Sequence, residues 1–197
     1  MFAGPFLAFV RLLMRLLYRI EVSGLERVPP SGPVLLACNH LSNIDPPALM
    51  SFVKKVRPDA CIIAKKELFA VPVFGSVIRA LGAFPVDRRR EGGDLGAMRA
   101  ALGALKAGRL LAIFPEGTRA KGKKLEPKAG VAMLAHRSGA PVLTARVFNS
   151  ENAAKLGKIK VKFGSLMTFE TSGTDPKKDY LEFSKAVMDG IFAITED

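Results

Sequence analysis

Short apolar runs alternate with longer amphipathic stretches along most of this chain, and that alternation most limits the folds open to it. PVLLACNH, ACIIAKK, AFPVDR, RLLAIFP and PVLTARV have the length and composition of buried strands. Between and after them, PPALMSFVKK, LFAVPVFGSVIRAL, GDLGAMRAALGALKAG and KAGVAMLAHRSG place apolar residues at helical spacing. A strand apolar on both faces must be covered on both faces. The pattern therefore predicts an α/β domain, a largely parallel mixed sheet flanked by helices. KIKVKFG alternates lysine with Ile, Val and Phe and predicts an edge strand protected by charge. The stretch from Pro176 to about Ile194 predicts a closing helix, and VSGLERVPPSG reads as a linker.

The first twenty residues, MFAGPFLAFVRLLMRLLYRI, predict an N-terminal amphipathic helix. Arg11, Arg15 and Arg19 recur every four residues and form one narrow basic stripe, with Phe9, Leu12, Leu13, Leu16 and Leu17 around the rest. The uninterrupted apolar part falls short of the ~20 residues that span a bilayer. A signal peptide carries its basic residues before its apolar core, and here they lie inside it. The reading that fits is a helix in the headgroup region, its arginines snorkelling; a helix packed on the domain with exposed arginines is the alternative. The chain thus divides into a membrane-surface helix at 1–20 and an α/β domain at 21–197.

Charge points the same way. With 30 Lys plus Arg against 18 Asp plus Glu, the formal charge of +12 calls for a polyanionic partner: nucleic acid, an anionic membrane or a phosphorylated substrate. The basic residues are spread along the chain and no RNA-binding signature is present, which disfavours nucleic acid. Cys38 and Cys61 sit inside apolar runs, as buried small hydrophobes do, and suggest neither a disulfide framework nor a metal cluster.

In open parallel sheets, ligands bind beyond the carboxyl ends of the strands. Three polar stretches fall at such ends: NHLSNID, FPVDRRR and FPEGTR. His40 is one of two histidines and stands five positions before Asp45. An imidazole, with an ordinary pKa near ~6.5, can accept a proton at neutral pH, and a carboxylate on its other nitrogen can fix its tautomer. No G-x-S-x-G nucleophile elbow accompanies the pair, so the group to be activated is a substrate hydroxyl. Asp45-Pro46-Pro47 also reads as an ordinary helix start with Asp as N-cap. In FPEGTR, Gly117 permits close backbone approach to an anion, Thr118 offers a hydroxyl and Arg119 can fork onto phosphate. Glu116 is out of place beside a phosphate unless it serves another group. Arg88 offers a second guanidinium, and His136 reads as a surface residue near a helix end.

NHLSNID, GAFPVDR and FPEGTR, in this order and spacing, resemble the first three motifs of the glycerolipid acyltransferases, in particular the branch acting on 1-acyl-sn-glycerol-3-phosphate. The resemblance runs from Gly32 to about Arg146 and includes KKELFAVPVFGSVIRALG. It implies that His40 is the general base and Asp45 its partner, and that Arg88, Glu116, Gly117, Thr118 and Arg119 belong to the acceptor site. It further implies transfer of an acyl group from acyl-coenzyme A or acyl-carrier protein to the sn-2 hydroxyl of lysophosphatidate, with no metal or resident cofactor. The protein is expected at the cytoplasmic face of the cell membrane, held peripherally on an anionic surface. Another lysolipid or glycerol 3-phosphate as acceptor is the alternative within this chemistry; a non-catalytic membrane or nucleic-acid binder is the alternative outside it. At the fourth motif the chain keeps Pro141 but has Thr144 where the family has a second proline.

Overall fold

The structure, a computed structural model, describes residues 3–86, 93–120 and 125–197. Seven strands form one sheet: β1 (Glu21–Ser23), β2 (Val34–Cys38), β3 (Cys61–Lys65), β4 (Ala83–Val86), β5 (Leu110–Ile113), β6 (Val142–Phe148) and β7 (Lys160–Met167), in the order β1-β7-β6-β2-β5-β3-β4. Every pairing is parallel except β6 with β7. The helices are α1 (Ala3–Tyr18), α2 (Asp45–Val56), α3 (Phe74–Ala80), α4 (Gly93–Lys106), α5 (Gly130–Ser138) and α6 (Pro176–Ala193). The α/β architecture expected from the alternation is the one observed.

β2 shows how the sequence builds the two core layers. All five of its residues are buried, and their alternation sends Leu36 and Cys38 to a layer with α1 and α2 while Leu35 and Ala37 face a layer with α4, α5 and α6. Cys38 and Cys61 are buried, as the apolar runs predicted, and fall in opposite layers. Helix ends follow local chemistry. Pro46 and Pro47 start α2, Gly139 at φ 67° ends α5, and the Asp175 carboxylate accepts from the Lys177 and Lys178 amides to cap α6.

Three local expectations need correction. KIKVKFG is not an edge: Glu21–Ser23, whose Val22 and Ser23 opened the expected linker, pairs with β7 as the outermost strand. LFAVPVFGSVIRAL is not one helix. Pro72 lacks an N–H, so the chain makes a 3-10 turn at Lys66–Ala70, passes Val73 at φ 61° and begins α3 at Phe74.

The third correction concerns the basic stripe of α1, in which Arg11 turns in toward α2 while Arg15 and Arg19 stay exposed. Arg11 donates to the Ser51 carbonyl at 2.9 Å and Arg15 lies over the Phe52 ring, both on α2, while Arg19 falls beyond the helix end. Leu7, Val10 and Met14 are buried in the core, each worth about 1.5–3 kcal/mol relative to exposure. Phe9, Leu12, Leu16 and Leu17 point away from the protein and are exposed, Leu16 by 67%.

At the amino ends of the strands, Arg57 is buried and bonds both oxygens of Asp59 and the carbonyls of Pro29, Gly32 and Gly108. One guanidinium thus ties together the segments that enter β2, β3 and β5.

Candidate active site

Parallel pairing of β2 with β5, in register from Val34↔Leu110 to Ala37↔Ile113, brings two distant exits side by side. One leads to His40 and the other to Phe114–Arg119. β2 also pairs in parallel with β6, and Asn39 extends that contact: its side-chain amide donates to the Val147 carbonyl at 2.9 Å, and the Val147 amide donates to the Asn39 Oδ1 at 2.8 Å. Buried Asn39 thereby fixes the direction in which the chain leaves β2.

The His40 Nδ1 lies 2.8 Å from Asp45 Oδ2. The same oxygen accepts the Leu41 and Ser42 amides, each at 2.7 Å. The ordinary N-cap reading is thereby corrected: Asp45 is the first residue of α2, and its fully buried carboxylate caps the preceding turn and the imidazole. With Nδ1–H directed at Asp45, Nε2 is the nitrogen left to accept a proton.

The turn after β5 surrounds His40 from the other side. The Phe114 ring stacks on the imidazole, centroids 4.1 Å apart and planes 15° apart. Glu116 Oε2 accepts the His40 amide at 2.8 Å, and the Ala120 amide donates to the His40 carbonyl at 2.8 Å. Burial pushes the Glu116 carboxyl up to about 7, with the charge of Asp45 adding to the shift. Gly117 takes φ 70°, in the left-handed region, and its amide donates to the Phe114 carbonyl at 2.9 Å. A Cβ at Gly117 would meet the Lys128 side chain at 2.9 Å, so glycine lets that lysine lie across the turn.

A cavity of about 400 Å³ opens beside His40. Its apolar part is formed by Ile62, Leu68, Phe74, Ile78, Leu81, Ala83 and Ala112, and its polar part by His40, Lys65, Gly117, Thr118, Arg119 and Lys128. A base, a cluster of cations and an apolar recess share one space. Such a site can take a proton from a hydroxyl on a molecule whose other parts are an anion and a hydrocarbon chain.

Of the residues singled out in the sequence, His40, Gly117, Thr118 and Arg119 line this cavity, and Asp45 stands behind His40. Glu116 is 3% exposed and belongs to the wall behind His40. Arg88 lies outside the described residues. His136, exposed at the end of α5, bonds the Tyr180 hydroxyl at 2.8 Å and stacks on Phe169.

The sequence reading passed over Lys65, Lys128 and the stacking role of Phe114. Lys65 ends β3, so the strand-exit rule could have found it. Lys128, nine positions after Arg119, had no local signal.

Comparison with known proteins places the chain in a family. Residues 19–147 match the family model described as Acyltransferase. The chain is 30% identical over 135 residues to the 1-acyl-sn-glycerol-3-phosphate acyltransferase of Borreliella burgdorferi, covering 68% of this chain and 53% of that protein. It is 28% identical over 159 residues to the Bacillus subtilis protein of the same name, covering 79% and 77%. A chloroplastic relative from Brassica napus with that activity in its name, BAT2, is 30% identical over 128 residues, 64% of this chain and 36% of its own length. The chain thus spans from about a third to about half the length of the first curated relatives it matches. The fold resembles the crystal structure of the 1-acyl-sn-glycerophosphate (LPA) acyltransferase PlsC from Thermotoga maritima, with a TM-score of 0.69 at 24% identity over 97% of this chain and 81% of the other.

Proposed function

This chain belongs to the acyltransferase family, and from that premise we propose that it moves a fatty acyl group from a thioester to the sn-2 hydroxyl of lysophosphatidate, forming phosphatidate. The observation that carries the proposal is the single cavity in which His40, backed by Asp45, stands between a cationic rim and an apolar recess. The names of the relatives at 28–30% identity support the acceptor.

In this reading the hydroxyl of the acceptor gives its proton to His40 Nε2 as its oxygen attacks the thioester carbonyl. Asp45 holds the imidazole in the right tautomer and stabilises the imidazolium. The tetrahedral intermediate collapses, the C–S bond breaks, and the departing thiolate takes the proton from Nε2. His40 ends as it began, and no acyl-enzyme forms. Arg119, joined by Lys65 and Lys128, holds the phosphate; Thr118 supplies a hydroxyl, and Gly117 lets the backbone of the turn come close. Arg88 is proposed as a further phosphate ligand on the strength of its motif alone. An acyl chain occupies the recess lined by Leu68, Phe74, Ile78 and Leu81. The donor is acyl-coenzyme A or acyl-carrier protein, arriving from the aqueous side.

We further propose that residues 1–20 form the membrane-surface segment and residues 21–197 the acyltransferase domain. Among the described residues no helix is long and apolar enough to cross a membrane. α1 instead presents Phe9, Leu12, Leu16 and Leu17 outward, and along their border a groove between α1 and α2 carries Arg11, Arg15 and Lys55. Apolar burial with cations at headgroup level suits a peripheral protein on the anionic, cytoplasmic face of the cell membrane.

The test is incubation of purified protein with labelled acyl thioesters and a panel of lysolipids and glycerol 3-phosphate. His40-dependent product from lysophosphatidate in preference to neutral or zwitterionic lysolipids is the expected result. Equal use of uncharged acceptors, or product formation by His40→Ala, would overturn it.

A further inference from the structure

FPEGTR places a carboxylate three residues from the arginine proposed to bind phosphate, an arrangement that repels the ligand unless the carboxylate is engaged elsewhere. We infer that Glu116 is a positioning residue for His40, holding its backbone from behind, and is not a ligand for the acceptor.

Three residues of one turn hold three parts of His40. Phe114 stacks on its ring, Glu116 accepts its amide, and Ala120 donates to its carbonyl. The amides of His40, Leu41 and Ser42 end in sequence on two buried carboxylates, Glu116 for the first and Asp45 for the next two. The turn that carries the imidazole is therefore fastened at both ends, and Asp45 alone fastens only the later one. Gly117, Thr118 and Arg119 line the cavity, whereas Glu116 lies behind its wall. A carboxyl keeps an acceptor oxygen whether or not it is ionised, so the amide stays satisfied through the pH range in which Glu116 titrates. Removing that acceptor leaves the partly buried His40 N–H without this partner and frees the peptide that sets the imidazole's position.

The chain's histidine count makes the test direct. Protein labelled with ¹⁵N-histidine gives signals from His40 and His136 only, and His136→Gln assigns them. In Glu116→Ala the His40 Nδ1–H resonance is expected to shift or broaden while the His136 signals stay in place. Glu116→Gln, whose amide oxygen can accept the same N–H, restores it. Kinetic measurements rest on the proposed reaction: Glu116→Ala lowers kcat about 100-fold, the cost of an ångström-scale misplacement, with acceptor KM within about 2-fold, and Glu116→Gln recovers most of kcat. An undisturbed His40 resonance in Glu116→Ala together with a raised acceptor KM would overturn the inference, because that is the signature of a substrate ligand. If the wild type transfers no acyl group, the reaction is refuted and the spectra alone decide the role of Glu116. If Glu116→Ala fails to fold, as lost His136 signals would reveal, Glu116→Asp takes its place. Its carboxylate is one methylene short of the amide, and a His40 signal unchanged in it would equally refute the inference.

Discussion

At the scale of single residues, His40 and Asp45 sit in the geometry of a base and its orienting carboxylate, and their removal should separate chemistry from folding. His40→Ala is expected to lower turnover by about 10²–10⁴-fold with little change in thermal midpoint, since the ring is partly exposed and its loss leaves no buried charge unpaired beyond Asp45, which keeps two amides. Asp45→Asn should be severely impaired as well, because its oxygen can keep the three bonds made to Oδ2 but a neutral amide no longer stabilises the imidazolium that forms. Near-normal turnover of either variant in a labelled acyl-transfer assay would refute the assignment. Arg119→Lys keeps the charge and loses the planar fork, so the acceptor KM should rise much more than the donor KM. Equal changes in both constants would take Arg119 out of the phosphate site. The residue identities were legible in the sequence. The partner of Glu116 was not, because the His40 amide lies 76 positions away.

At the scale of elements, α1 is amphipathic in a way its sequence did not reveal. Its apolar residues serve two opposite faces, one against the core and one outward, with Arg11 and Arg15 along the border. Serine at Leu12, Leu16 and Leu17 should weaken flotation with anionic vesicles at every salt concentration. Glutamine at Arg11, Arg15 and Arg19 should weaken it chiefly at low salt, with each charge contributing about 1 kcal/mol. Unchanged flotation in the leucine variant would exclude the helix as anchor. β6 and β7 pose a different problem. Thr144 stands where a family proline was expected, and its hydroxyl reaches the Ser165 amide and carbonyl at 3.2 and 3.3 Å, beside the register shift between Leu143 and Ala145. A side chain thereby joins the ladder where the backbones separate. A Cβ at Gly164 would lie 2.4 Å from that hydroxyl, so Gly164→Ala should cost about 1–3 kcal/mol in thermal or urea unfolding. Thr144→Ser, which keeps the hydroxyl, should be milder.

At the scale of the whole molecule, two carboxyls at opposite ends of the sheet give stability opposite dependences on pH. The Arg57 guanidinium holds Asp59 down to about 2 from an ordinary value of 3.8. Between those values the unfolded chain binds the proton more readily, so this stabilisation is complete above the ordinary value and is lost as pH falls through about 2. Burial holds Glu116 up to about 7 from 4.5. Here the native state keeps its proton longer, and stability declines as pH rises from 4.5 toward 7. Melting curves across this range should show Asp59→Asn losing the acid-side slope and Glu116→Gln losing the decline toward neutrality. Asp59→Asn should also be destabilised at neutral pH, since it leaves the buried Arg57 charge without its carboxylate. A wild-type curve with neither slope would mean that these two carboxyls do not contribute as described.

The sequence by itself determined most of the strands and helices and singled out His40, Asp45, Gly117, Thr118 and Arg119 as a group, because apolar periodicity and motif spacing act over a few residues. Only the tertiary structure decided what those residues touch. Parallel pairing of β2 with β5 set His40 against Phe114, Glu116 and Ala120, and the exit of β3 brought Lys65 to the same cavity. Lys128 reached it by packing over Gly117. The edge strand was misplaced because Glu21–Ser23 is too short to carry a pattern of its own and becomes a strand only by pairing with β7. The inward turn of Arg11 was missed for a related reason. A helix apolar on two faces has one sequence pattern, and which face meets the core is fixed by the shape and hydrogen-bonding groups of α2, far along the chain.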